Sequence, residues 1–300
     1  MKLFAPKYYE KFKCIADKCK HSCCIGWQID IDEVALNKYN SLASPYGKNI
    51  INSIENGDTP HFRLSKNDKC PHLDENGLCQ IIKNVGEDYL CDICREHPRF
   101  YNYTNIGKEL GIGMSCEAAC SLIVSSDDFD IILPIADIEG EISKSEYNAI
   151  EDRILVFKIL KDKELRISGK VEMIYDYFDI YLHDYDFSDI LLELEYLYES
   201  HKALFLSATK LEWNDDLSDE LSRLLAYFVY RHCSEAVDFE EFFISLSFVV
   251  FCAGLISTLA NENNICEIAR IVSEEIEYSE ENIEKIKSLF YIDEDDYLSI

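Results

Sequence analysis

Cysteine is the residue type whose number and spacing point most clearly to chemistry in this chain. Thirteen cysteines occur among 300 residues. Ten lie in the first 120 residues, mostly in close pairs, at Cys14, Cys19, Cys23, Cys24, Cys70, Cys79, Cys91, Cys94, Cys116 and Cys120. A close pair brings two thiolates to one metal with little further loss of chain entropy, because a single turn separates them. The ten cysteines therefore predict a metal site rather than a set of independent buried thiols.

The identity of the metal stays open on spacing alone. Structural zinc sites use four cysteines or a mixed cysteine and histidine set, and His21, His72 and His97 lie near the cysteines in sequence. Iron–sulfur clusters are held mostly by thiolates, so ten cysteines are enough for one four-iron cluster, or for two. The adjacent Cys23 and Cys24 are unusual for a zinc ribbon, and the regular CxxC pairs of such a ribbon are not found.

Two short segments beside the cysteines carry further candidate binding residues. Gly26 and Trp27 follow the double cysteine; a glycine there lets the backbone approach a metal or its sulfides, and Trp27 fits either such a site or the core. Arg95 and Arg99 follow Cys94. Guanidinium groups beside thiolates either donate hydrogen bonds to sulfur or bind a carboxylate or phosphate of a ligand, although ordinary surface charge is the alternative.

The other three cysteines have a different setting. Cys233, Cys252 and Cys266 stand alone in apolar helical patterns and are predicted to be small buried hydrophobic residues. The first seven residues lack the apolar segment of a secretion signal, so we expect a cytoplasmic protein. Thiols stay reduced in that compartment, which favours metal ligands over disulfides.

Charge divides the chain into two regions. Residues 1–120 carry 15 basic and 16 acidic residues, whereas residues 121–300 carry 14 and 41 and account for most of the net charge of −28. Such an acidic surface repels a phosphate backbone, so nucleic-acid binding is not expected. We therefore predict two domains, a cysteine-rich metal domain at 1–125 and an acidic, all-helical domain at 126–300.

The predicted fold class is mainly α, with an irregular cysteine-rich part followed by a helical bundle. Apolar and polar residues alternate over 27–32, which predicts a strand leading into a helix capped by Asp32. Apolar residues at three- and four-residue spacing predict helices over 145–162, 186–206, 216–236, 239–260, 264–277 and 279–290. The uncharged stretch 242–260 lacks basic and aromatic flanks, so we interpret it as a central buried helix rather than a membrane span.

The ordered motifs match a known family. They run from Tyr8 to Cys14, through Cys23-Cys24-Ile25-Gly26-Trp27 and Cys70-Pro71, to Cys91-x-x-Cys94-Arg95 with Pro98-Arg99, and to Ser115-Cys116-Glu117-x-x-Cys120. Residues 1–125 resemble flagellin lysine-N-methylases, which are related to the zinc- or iron-chelating CxxCxxCC domain family. The opening spacing here is longer than that family's name pattern.

The resemblance implies methyl transfer from S-adenosylmethionine to lysine amines of flagellin, with a four-iron cluster involved, and it favours iron–sulfur over zinc. A base is then needed to deprotonate the lysine, and Glu117, His97, Tyr101 and Tyr103 are candidates by their place in the sequence. Arg95 and Arg99 would hold the carboxylate of the methyl donor. No glycine-rich Rossmann loop is visible.

Two other functions remain alternatives at this stage. One is a non-catalytic scaffold or metal-handling protein built around zinc or iron. The other is a redox module, for which an exposed cluster and free thiols are sufficient.

Overall fold

The computed structural model describes residues 1–57, 59–126, 134–137, 147, 149–180, 182, 185–262 and 264–291. Helices dominate these residues and sheet is sparse, so the predicted mainly-α class is confirmed. The strands are β1 Lys2–Phe4, β2 Ile54–Glu55, β3 His61–Phe62, β4 Arg99–Tyr103, β5 Gly107–Ile112 and β6 Pro134–Asp137. The α-helices are α1 Glu33–Ser41, α2 Pro45–Asn52, α3 Gln80–Val85, α4 Asp92–Glu96, α5 Glu117–Val124, α6 Ala149–Lys161, α7 Ile167–Phe178, α8 Ser188–Glu193, α9 Glu199–Phe205, α10 Ser218–His232, α11 Phe239–Leu259, α12 Ile265–Val272 and α13 Glu280–Lys287.

The chain forms two compact units whose limits differ from the predicted boundary at residue 125. One unit, here called the cysteine unit, is Lys13–Phe100, and the other, the helical unit, combines Met1–Phe12 with Tyr101–Ile300. Long-range pairing explains the difference, because β1 pairs in parallel with β5 and so ties the N-terminus to residues 107–109. Helix α5 also belongs to the helical unit, where its buried face packs on α10 and α12.

The cysteine unit is made of short elements around a small core. Its buried residues come from α1, α2, the β2–β3 hairpin and the segments that carry the cysteines, namely Ile29, Ile31, Ala35, Tyr39, Ile50, Phe62, Cys70, Ile81 and Cys91. Two cysteines are thus part of the core itself. Such a small apolar core has to be supplemented for independent stability, commonly by a metal.

The helical unit is built around two long helices. α10 and α11 pack side by side, with α6 and α7 on α10 and α12 and α13 on α11. The sheet of this unit has the strand order β4-β5-β1-β6, and β1 runs antiparallel to β6. A buried bidentate ion pair joins β5 to α6, because both Arg153 Nη atoms donate to Glu109 carboxylate oxygens at 2.9 Å.

Among the residues that the structure describes, α11 is the helix that is long and apolar enough to cross a membrane. Its most apolar window is 83% buried inside the protein, as in the core helix of a helical domain. The prediction of a central buried helix over 242–260 is therefore confirmed at the level of packing.

Two predicted elements differ from the structure. Residues 27–32 form one isolated bridge, Asp30 to His61, instead of a strand, whereas the capping role of Asp32 is confirmed. The helix predicted over 186–206 is broken into α8 and α9, because Asn282 takes both backbone groups of Glu195, accepting from its N–H at 2.8 Å and donating to its carbonyl at 2.7 Å. Positions 145, 146 and 148 of the helix predicted from 145 lie outside the described residues.

Candidate metal centre

Five cysteines from separate segments meet in the cysteine unit. Cys70 and Cys91 are buried in its core, and Cys24, Cys79 and Cys94 pack against that core. We call these residues the five-thiol group. Backbone contacts bring the segments together, since the Cys70 N–H donates to the Cys24 carbonyl at 2.8 Å. Cys79 directly precedes α3, and Cys91 directly precedes α4, which carries Cys94 in its first turn.

The five thiols interact electrostatically. Burial, with the neighbouring Cys24, Cys79 and Cys91 thiolates as smaller causes, raises the pKa of the Cys70 thiol to about 12. A hydrogen bond from Cys23 lowers the pKa of Cys24 to about 7. Hydrogen bonding to Cys91 raises the pKa of Cys94. Neighbouring thiolates therefore oppose ionisation of Cys70, Cys79 and Cys94, and a bound cation would remove that penalty by neutralising the negative charge.

A buried hydroxyl beside these thiols has no hydrogen-bond partner. Tyr39 is fully buried on α1, and its hydroxyl oxygen is unpaired. Burial raises the pKa of this hydroxyl, and the thiolates of Cys91, Cys94 and Cys79 act in the same direction as smaller causes. Buried donors are rarely left unpaired because the lost hydrogen bond with water costs free energy. The hydroxyl fits a group that brings additional acceptor atoms, such as sulfide, to the thiols.

Sequence reasoning missed Tyr39 because a tyrosine on the apolar face of a helix looks like an ordinary core residue.

The backbone also donates to one of the thiols, since the N–H of His72 donates to Cys70 Sγ at 3.4 Å. Hydrogen bonds of this kind to a thiolate are common around metal-bound sulfur, because they stabilise the charged form.

Both ring nitrogens of His72 are occupied, which removes it as the histidine of a mixed zinc site in this arrangement. The Ser53 hydroxyl donates to the Ile50 carbonyl, so it accepts the hydrogen of His72 Nε2 at 2.8 Å. His72 Nδ1 then accepts from the Tyr46 hydroxyl at 3.0 Å. Burial lowers the pKa of His72 to about 4, in keeping with a neutral, structural imidazole.

Asp32 fixes the segment that holds Cys91 and Cys94. One carboxylate oxygen accepts from the Ala35 N–H at 2.8 Å and caps α1. The other accepts from the Asp92 N–H at 2.7 Å and caps α4. Because α4 starts one residue after Cys91, this single side chain links the position of the cysteine pair to α1.

The predicted cofactor-binding residues of this unit lie in two places. Trp27 donates from Nε1 to the Cys23 carbonyl at 2.6 Å and its ring lies edge-on to His97, with centroids 5.6 Å apart. Gly26 has a φ of +94°, a conformation that favours glycine, and its N–H donates to the Asp68 carbonyl.

The two predicted arginines lie beside α4. Arg95 is exposed and pairs with the carboxylates of Asp92 and Glu96. Arg99 donates from Nη1 to the carbonyl of Arg95 at 3.3 Å. A ligand carboxylate at Arg95 would therefore have to replace a protein carboxylate.

The remaining predicted residues are not part of the five-thiol group. Cys14, Cys19 and Cys23 belong to the cysteine unit but lie on its more exposed opening segment. Cys116 and Cys120 belong to the helical unit, together with Glu117 and Tyr101. Lys108 places its ammonium 4.1 Å from the ring centre of Tyr101 and 5.2 Å from that of Tyr103.

The three late cysteines divide into two kinds. Cys233 and Cys252 are fully buried, as predicted. The prediction for Cys266 was wrong, because this residue is partly exposed and its thiol meets that of Cys120. The partner lies 146 positions away, so local sequence patterns carried no sign of the contact.

A second group of titratable residues links helices of the helical unit. His201 Nδ1 lies 2.6 Å from a Glu275 carboxylate oxygen, and the other Glu275 oxygen accepts from the Leu197 N–H at 2.8 Å. Glu274 lies beside this pair, and one of its oxygens is 3.0 Å from Arg270. Because each carboxylate has a protein partner, we interpret this group as structural.

The chain is similar in part to a lysine-N-methylase and to a flagellar biosynthetic protein. It is 25% identical over 130 residues to a lysine-N-methylase of Salmonella typhimurium (strain LT2), a match that covers 41% of this chain and 32% of that protein. It is 27% identical over 132 residues to the flagellar biosynthetic protein FliU of Salmonella muenchen, covering 41% and 77% of the two chains. No family model and no solved structure matches. The chain spans about a third of the length of the lysine-N-methylase to which it is similar.

Proposed function

We propose that this protein transfers methyl groups from S-adenosylmethionine to lysine side chains of flagellin, and that the five-thiol group holds an iron–sulfur cluster. The observation that carries the proposal is the convergence of five thiols beside the unpaired Tyr39 hydroxyl, in a chain similar to a lysine-N-methylase. The flagellar name of a second relative supports flagellin as the substrate.

The donors around the thiols support an iron–sulfur cluster over a single zinc ion. A zinc ion brings no acceptor atoms of its own, whereas a cluster brings inorganic sulfides that accept hydrogen bonds. The buried Tyr39 hydroxyl, which interacts with the thiolates and has no hydrogen-bond partner, lies where such an acceptor would satisfy it.

The residues around the thiols fit such a group. Cys24, Cys70, Cys79, Cys91 and Cys94 provide more than the four thiolates that a four-iron cluster takes. The His72 N–H donates to Cys70 Sγ, and the unpaired Tyr39 hydroxyl would be available as a donor to a sulfide. Bound there through four thiolates, the cluster would fix α4, which carries Cys94 and Arg95, and the sulfonium of the methyl donor would supply the methyl group.

The protein must also manage the proton of the lysine substrate, because an ammonium has no lone pair with which to attack the methyl carbon. Of the four predicted bases, His97 is the one in the cysteine unit. Burial lowers its pKa to about 4, so its imidazole is neutral at pH 7 and can accept a proton. Desolvation of the lysine ammonium lowers the pKa of the lysine in turn, which reduces the difference between the pKa values of lysine and His97.

Methyl transfer to purified flagellin tests the proposal. The anaerobically purified protein is incubated with methyl-labelled S-adenosylmethionine and flagellin, and labelled lysines are identified by mass spectrometry. We expect incorporation with the wild-type protein and none with a Cys91→Ser/Cys94→Ser variant, which leaves at most three of the five thiols. The matched control is Cys233→Ala/Cys252→Ala, which removes two buried thiols outside the group and should keep the activity.

Variants of the binding residues refine this test. His97→Gln should reduce kcat more than it changes KM, whereas Arg95→Ala and Arg99→Ala should weaken binding of the methyl donor. Full donor affinity in both arginine variants would remove their assigned role. No labelled lysine with a protein that contains its full cluster would contradict methyl transfer and favour a non-catalytic scaffold.

A further inference from the structure

Two thiols on different helices of the helical unit meet in its core. Cys120 lies on α5 and is 1% exposed, whereas Cys266 lies on α12 and is partly exposed. The Cys120 thiol has two acceptors on α12, with its Sγ 3.3 Å from the Cys266 carbonyl oxygen and in hydrogen-bonding contact with the Cys266 thiol. The helices that carry them pack side by side. These contacts bring together two cysteines that lie 146 positions apart in the sequence.

The partly exposed thiol of the pair is the one that carries negative charge more readily. The hydrogen bond from Cys120 lowers the pKa of Cys266 to about 7, although burial and the nearby Glu220 act in the opposite direction. Arg270, one turn after Cys266 on α12, places a positive charge near Cys120, while Glu277 places a negative one there. A cysteine that meets peroxide needs access to solvent, and of the two it is Cys266 that is partly exposed while Cys120 is buried.

We propose that Cys120 and Cys266 form a reversible disulfide between α5 and α12 when the protein meets a peroxide. The Cys266 thiolate attacks one oxygen of hydrogen peroxide, so that a sulfur–oxygen bond forms, the oxygen–oxygen bond breaks, and the departing hydroxide takes up a proton to become water. The Cys120 sulfur then attacks the resulting sulfenic acid. The disulfide forms as the sulfur–oxygen bond breaks, and a second water leaves with the proton of Cys120.

The electrons and atoms balance, since two thiols are oxidised by two electrons and one peroxide is reduced to two waters. A dithiol reductant reverses the step by exchange. The proposal does not rest on methyl transfer. It concerns a pair in the helical unit, and the five-thiol group belongs to the cysteine unit.

Disulfide mapping of the full-length protein tests this proposal. Reduced protein is treated with hydrogen peroxide, remaining thiols are alkylated, and protease digests are analysed by mass spectrometry. We expect a cross-linked peptide pair that contains Cys120 and Cys266, lighter than its parts by two hydrogen atoms and lost on treatment with dithiothreitol. Cys252→Ala, which removes a buried thiol elsewhere in the unit, should give the same cross-link.

Single variants separate the attack on peroxide, assigned to Cys266, from the attack on the sulfenic acid, assigned to Cys120. Cys120→Ser should leave Cys266 without a partner, so that peroxide drives it on to the sulfinic acid. Cys266→Ser should leave Cys120 unoxidised under the same treatment. The wild-type digest decides the matter even if a variant fails to fold. Recovery of Cys266 as sulfinic acid or as free thiol in the peroxide-treated wild type, with no link to Cys120, would overturn the proposal.

Discussion

The cysteine unit and the helical unit solve the problem of stability in different ways. The helical unit buries two long helices and a bidentate ion pair, Glu109–Arg153, whose side chains are at most 1% exposed. The cysteine unit has short elements and a small core that contains thiols, and its Arg63–Glu55 ion pair is more than half exposed. The first can be stable through its own packing, whereas the second brings together thiols whose ionised forms a bound metal would stabilise. The comparison predicts that the two units respond differently to the same kinds of change.

Loss of thiols from the five-thiol group should have the largest effect. The Cys91→Ser/Cys94→Ser variant cannot complete a set of four thiolates, so we expect the cysteine unit to lose its folded state while the helical unit keeps it. Limited proteolysis measures this difference, with early cleavage between residues 13 and 100 and survival of fragments from 101 to 291. Equal resistance of both units in this variant would show that the thiols do not support the fold.

Breaking the buried ion pair should act on the helical unit alone. Glu109→Gln leaves the Arg153 guanidinium buried without its opposite charge, so the free energy of unfolding should fall by about 3–5 kcal/mol. Chemical denaturation followed by far-UV circular dichroism measures the change. Glu55→Gln, at the exposed pair of the cysteine unit, is the control and should change stability by less than about 1 kcal/mol. Similar losses in the two variants would contradict the distinction.

Removal of one capping side chain should produce a smaller loss within the cysteine unit. Asp32→Ala abolishes the caps of both α1 and α4, and since one cap contributes about 1 kcal/mol, we expect a loss of about 2 kcal/mol. Ser44→Ala removes the one cap of α2 and serves as the control, with about half of that effect. Thermal unfolding of the metal-loaded protein measures both variants. An effect of Asp32→Ala no larger than that of Ser44→Ala would mean that the link to α4 contributes nothing.

Local sequence patterns predicted what depends on neighbouring residues. Asp32 was identified as a cap and 242–260 as a buried helix, because capping and helical periodicity are read within a few residues. The pairing of Cys91 with Cys94 also followed from a spacing that is itself local.

Features created by distant contacts were not predictable in this way. The pairing of residues 2–4 with 107–109 assigns Cys116 and Cys120 to the helical unit, and no local spacing encodes it. The break before α9 depends on Asn282, and the thiol pair depends on Cys266, each far along the chain from its partner. The hydroxyl of Tyr39 gained its meaning only when the thiols beside it were located.

Metal and sulfide analysis of the anaerobically purified protein tests the central claim most directly. We predict about four irons and four inorganic sulfides per chain, with little zinc, as one four-iron cluster requires. The Cys91→Ser/Cys94→Ser variant should lose both, while the Cys233→Ala/Cys252→Ala control should keep both. One zinc ion per chain without sulfide in the wild-type protein would contradict the account.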